Sequence, residues 1–144
     1  MISIIQTYGN MLSAALGRTL LMTLLSLIFA MVIGMIFGLM NVGHNRVLNL
    51  IGTVYVDAIR GVPLIVLAYF IYFGVPAGMK GIGFADFRLN ALQAGTIALS
   101  MNCGAYMAEI IRAGIESVDR GQMEAGRSLG LSYGSCMALV VIPQ

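Results

Sequence analysis

The chain has 144 residues, of which 59% are hydrophobic and 10% charged, with a net charge of +2. A soluble domain carries roughly 25% charged residues, so these are too few to cover a water-exposed surface. The small net charge gives no footprint for nucleic acid. Composition and long apolar runs place the chain in a membrane.

The first charge is Arg18, and an uncharged stretch of 24 residues follows it, Thr19 to Val42. A signal-peptide core has roughly 7–15 apolar residues. As a helix this stretch is about 36 Å long, enough to span a bilayer with some tilt. Gly34 and Gly38 form a GxxxG within it, read either as a close helix contact or as ordinary membrane-helix glycine. The preceding mixed residues, with Tyr8, Asn10 and Arg18, suit an interfacial helix.

"GHNRVLNLIG" reads as a short polar link, with His44 solvated or at headgroup level beside Arg46. A second span is expected over about 55–75, with Asp57 and Arg60 three residues apart on one face at its start. Charges at mid-membrane cost roughly 2.5–3.5 kcal/mol on insertion scales, so both belong near an interface or a wet interior. Pro63 lacks a backbone donor and predicts a kink or a helix start. Gly74 and Pro76 predict the end of the span, and "AGMKGIGFADFR" a loop.

A third span is expected from Leu89, over about 89–110. It carries Asn90, Gln93, Thr96, Ser100 and Asn102, polar groups that need partners within the protein. This helix should therefore face other helices or a cavity. Glu109, Arg112 and Glu116 then fall on one helical face, as expected of an amphipathic extension that "DRGQ" breaks. Met123 to Leu129 reads as a helix too short to be stable alone, in which Glu124 and Arg127 could pair. Gly130 stops it, and Ser132 caps a second helix, Tyr133 to Val141, closed by Pro143. This hairpin suits either docking of a soluble partner or an amphipathic loop on the membrane surface.

Cys103 and Cys136 have no metal-type spacing and read as small packing residues. None of the three spans holds a His, Asp or Glu at mid-depth, which disfavours a membrane enzyme. Five Lys and Arg residues (46, 60, 112, 120, 127) face three (18, 80, 88) across the membrane. The bias puts the hairpin in the cytoplasm and the N-terminus outside.

The segment Glu124-Ala125-Gly126, then Gly130, then Val140-Val141-Ile142-Pro143 resembles the EAA motif of bacterial ABC-importer permeases. In that pattern Glu-Ala-Ala, three residues, Gly and nine residues precede Ile-x-Leu-Pro. Gly126 stands where the pattern has its second Ala. "AIRGVPLIVLAYFIYFGVP" and "GAYMAEIIRAGIESVDRGQMEAGRSLGLS" are similar to stretches of the polar amino acid permeases. Val62 stands where Thr is usual and Leu67 where Gln is common. The resemblance covers about residues 15–143.

The resemblance implies an all-α integral membrane protein with a partial type I ABC-importer permease fold: three transmembrane helices plus a cytoplasmic coupling helix. Residues 1–144 would form a single, incomplete permease domain with a coupling loop over about 111–143. It further implies import of a polar amino acid across the bacterial plasma (inner) membrane. The expected partners are an ABC ATPase subunit, a second permease subunit (as homo- or heterodimer), an extracytoplasmic amino-acid-binding protein and the lipid bilayer. No P-loop is present, so ATP would be used by the ATPase subunit; no cofactor, metal or catalytic residue is expected here. Gln122, Glu124, Ala125, Gly126, Gly130 and Pro143 would shape the ATPase-coupling face. Arg60, Pro63, Asn102 and Tyr106 are candidates for the translocation path. Two more helices would be expected after Gln144; the other reading is a truncated, non-transporting, regulatory or structural membrane subunit.

Overall fold

A computed structural model describes residues 2–43, 45–84 and 86–144, with side chains from Tyr8 onward; the reading of His44 lies outside them. Among the described residues the secondary structure is helical, without strands. Two stretches are long and apolar enough to cross a membrane, Tyr8–Val42 and Leu64–Gly81, with mean hydropathies of 2.7 and 1.5.

The first helix, α1, runs unbroken over Ile2–Val42. A separate interfacial helix before Thr19 is not formed. No proline interrupts the stretch, and Thr19 satisfies its hydroxyl on the Ala15 carbonyl one turn back at 3.0 Å. Burial follows one stripe, including Ser26, Ala30, Gly34, Gly38 and Asn41, the spacing of a single helical face.

Helix α2 covers Arg46–Gly61. The expected polar link is thus mostly helix, because Asn45 caps it: its side chain accepts from the amides of Val47 at 2.9 Å and Leu48 at 3.4 Å. Burial of Gly52, Val56 and Ile59 then fixes one face of α2 inward. Asp57 and Arg60 consequently sit in the last turns of α2, not at the start of a longer helix. The chain breaks at Val62 and Pro63, both extended, and α3 starts directly after the proline over Leu64–Tyr69.

Gly74 and Pro76 do not end this helix. One π-helical turn, Phe70–Gly74, widens the backbone, and Val75 donates to the carbonyl of Phe70. Pro76 then falls in the first turn of α4, Val75–Gly81, where its missing N–H is tolerated. The expected loop therefore begins only at Ile82. Gly83, at φ +102°, and Phe84, which donates to Met79 at 3.0 Å, close the helix.

Helix α5, Ala91–Ser117, opens with a reciprocal cap. Asn90 accepts from the Gln93 amide at 2.8 Å, and the Gln93 side chain accepts from the Asn90 amide at 3.0 Å. The helix is one rod through the expected third span and the charged segment after it, and it is not one of the two described stretches long and apolar enough to cross a membrane. It is interrupted at Val118–Asp119, one residue before the expected break, and Asp119 already caps α6, Arg120–Ser128.

The core is the pairing of α1 with α5. They run parallel: Ser26 Oγ donates to the Thr96 carbonyl at 3.3 Å, and Gly38 meets Ile111 further along. Both glycines of the GxxxG lie in this contact. A Cβ on Gly34 would come within 2.5 Å of Met107 Cβ, and one on Gly38 within 3.0 Å of the Ala108 carbonyl oxygen. Gly104 answers from α5, with Ile33 Cγ2 only 2.6 Å from where its Cβ would be. Close backbone approach without side-chain bulk suits association where no hydrophobic effect drives helices together. The polar row of α5 follows the expectation only in part. Thr96 and Ser100 are buried, but Ser100 donates within its own helix, to the Thr96 carbonyl at 2.6 Å. The Thr96 hydroxyl has no hydrogen-bond partner among the described residues, and Asn90 and Gln93 are exposed in the cap. Ile59, Leu67 and Ile71 pack with Ala94, Ala98 and Ala105 on the other side of α5.

Candidate functional site

Two groups of residues stand out. The first is the hairpin that follows α5. Asp119 accepts from the Gly121 amide at 2.7 Å and starts α6. Gly130, at φ +87°, reverses the chain, with its amide donating to Arg127 at 3.0 Å and that of Leu131 to Gly126 at 3.3 Å. Ser132 then accepts from the Ser135 amide at 3.2 Å and caps α7, Tyr133–Cys136. A π-helical turn over Met137–Val141 extends it, so the second arm covers the residues expected from sequence.

Gln122, Glu124, Ala125 and Gly130 are exposed on the first arm, and Pro143 at the end of the second. Gly126 is buried instead, facing Cys136 of α7. Glu124 and Arg127 form no ion pair; the pairs present lie elsewhere. Behind α6 lies a cavity of about 700 Å³, with Glu116, Arg120, Met123, Glu124 and Tyr133 among its lining residues. The hairpin thus leaves an open cleft beside the end of α5, and the exposed Glu124 is one of its walls.

The second group joins α2 to α5. The Arg60 guanidinium lies 5.3 Å from the Tyr106 ring centroid and 3.8 Å from Glu109 Oε2. Arg112 grips the same carboxylate with two bonds, at 2.5 and 3.2 Å, and reaches Glu116 at 2.6 Å. The hydrogen bonds that Arg112 donates to Glu109 are the largest influence raising the Arg112 pKa, with Glu116 adding to it. Arg112 thus stays a fixed cation. These charges border a cavity of about 320 Å³ that Asn41, Asn49, Thr53 and Asp57 also line. Asn49 donates to the Asn41 carbonyl at 2.5 Å.

Of the four path candidates, the structure brings Arg60 and Tyr106 together. Asn102, partly buried, lies four residues before Tyr106 on the same face of α5. Pro63 is exposed beyond the break, as the residue that caps α3. Glu109 is the member that sequence reading missed: its helix partner Arg112 was visible by spacing, its cross-helix partner Arg60 was not.

An all-helical fold with two stretches able to cross a membrane, small residues at its helix contacts and a polar hairpin fits an integral membrane protein. The chain belongs to the family of binding-protein-dependent transport system inner membrane components, which matches residues 30–144. It is 45% identical over 97 residues to a probable glutamine ABC transporter permease protein, GlnM, of Bacillus subtilis; the match takes in 67% of this chain and 42% of that protein. It is 40% identical over 90 residues to the arginine transport system permease protein ArtQ of the same organism, across 62% of this chain and 38% of the relative. A crystal structure of an amino acid ABC transporter with histidines superposes with a TM-score of 0.83 at 37% identity, covering 99% of this chain and 63% of that one. The chain thus spans less than half the length of these two relatives.

Proposed function

We propose that this chain acts as the membrane-spanning subunit of an ABC importer for a polar amino acid. What carries the reading is the α6–α7 hairpin: its exposed Glu124 and left-handed Gly130 stand at the motif positions, at the end of a helix packed along α1. The names of the relatives, glutamine and arginine permeases among them, support a polar amino acid as cargo. In this reading a separate ATPase subunit docks on Gln122, Glu124, Ala125 and Gly130, with Gly126 and Pro143 shaping the hairpin that presents them. A second permease subunit and an extracytoplasmic binding protein complete the assembly. The N-terminus lies outside and the hairpin in the cytoplasm.

Transport follows from a population shift. ATP closes the ATPase pair, the hairpins move with it, and the helix bundle exchanges inward-facing for outward-facing states. Arg60, Asn102 and Tyr106 border the path, near the break at Pro63. In a reconstituted complex with ATPase and binding protein, Glu124→Lys and Gly130→Trp should abolish substrate-stimulated ATP hydrolysis. Intact stimulation in both would refute the docking assignment, and unchanged uptake in Asn102→Leu would remove Asn102 from the path.

A further inference from the structure

We infer that Gly126 and Cys136 are a size-matched pair that sets how α6 is presented. Gly126 stands where the motif pattern has alanine, and the structure supplies a reason. A Cβ there would overlap the Cys136 sulfur, with Cys136 Cβ at 3.6 Å and Leu131 Cδ1 at 3.7 Å beside it. Cys136 is fully buried, and its thiol lies 3.6 Å from the Met123 carbonyl as a weak donor. Gly126 is the buried residue of α6, and a nine-residue helix is marginal alone. The seating of α6 on α7 therefore rests on this contact, flanked by the capping bond from Leu131 to Gly126. A bulkier side chain at either position would lift α6 from α7 and re-aim Glu124, which lies two residues before Gly126 on the exposed side. A glycine at the third motif position thus belongs with a cysteine-sized residue at 136, and alanine at 126 with a smaller one. Gly126 acts as a positioning residue.

The consequence for Glu124 rests on the docking reading above; the packing itself does not. The test uses the assembled complex in membrane vesicles, with Cys103 replaced by Ala and labelling at Cys136 read from its own peptide by mass spectrometry. N-ethylmaleimide labelling of Cys136 should be slow, and G126A should speed it about tenfold, the effect of roughly 1.4 kcal/mol of local opening. G126A should also uncouple ATP hydrolysis from substrate, and adding C136A should restore coupling by clearing the sulfur. C136V alone should reproduce the G126A defect, which keeps the test informative if G126A does not assemble. Unchanged labelling in G126A, or no rescue by C136A, overturns the pair. Faster labelling with coupling intact upholds the pair and overturns the docking role of α6.

Discussion

The Tyr55 hydroxyl donates to the Met101 carbonyl at 2.9 Å, a bond from α2 to the middle of α5. The same ring stacks on Phe37 of α1, with centroids 3.9 Å apart and an interplanar angle of 16°. One side chain thus ties three helices. Tyr55→Phe keeps the stack and loses the bond, which should cost about 0.6–1.5 kcal/mol. Tyr55→Ala loses both and should cost about 3 kcal/mol or more. Thermal unfolding in detergent checks the order; equal losses would show that the bond alone matters.

The α1–α5 contact should be intolerant of bulk. Gly34→Leu and Gly104→Leu place a side chain against Met107 and Ile33 respectively, and overpacking costs about 1–3 kcal/mol, with more where backbones must separate. Gly9→Leu, where a Cβ would meet nothing within 4 Å, should be silent. Yield of folded protein on size-exclusion chromatography separates the two groups.

Glu109 and its two arginine partners should respond unequally. Arg112→Lys loses the fork geometry that two short bonds require, whereas Arg60→Lys keeps a point charge over Tyr106 and should retain more uptake. Glu109→Gln weakens both arginines at once. The side chains are about one-third exposed (38% for Arg60, 30% for Glu109), so the Arg60 pair contributes only about 1 kcal/mol. Uptake into vesicles should fall by roughly fivefold in Arg60→Ala if that term alone is lost. Equal effects of Arg60→Lys and Arg60→Ala would remove charge from the explanation.

Gly130 should tolerate Asn better than Val. Its φ of +87° lies in the left-handed region, which Asn visits and β-branched residues avoid. Gly130→Val should cost about 1–2 kcal/mol more than glycine, and limited proteolysis of the hairpin would report it. Equal cleavage rates for the two variants would argue against a strained turn.

What was legible in the sequence was local chemistry. Ser132 capping a helix over Tyr133 to Val141, Gly130 stopping the one before it, and a kink or helix start at Pro63, which the structure gives as a start at Leu64, each depend on residues a few positions apart. Gly74 and Pro76 misled because a π turn supplied the slack that a regular helix lacks. Helix α2 starts at Arg46 and not near Tyr55, because burial of Gly52 and Val56 against neighbouring helices outweighs the polar look of "NRVLN". The meeting of Arg60 with Glu109 had no sequence signal. It is a contact between helices with a loop and another helix between them, and only the fold brings them into range. The approach of Gly126 to Cys136 likewise depends on the fold, which turns the chain back at Gly130.

Helix α5 carries a mechanical consequence. Its 27 residues form a rod of about 40 Å, seated along α1 on glycine contacts that leave no slack for sliding sideways. The hairpin is joined to its end through Val118 and Asp119. In the proposed reading, a push on α6 reaches the α5 rod through the break at these two residues.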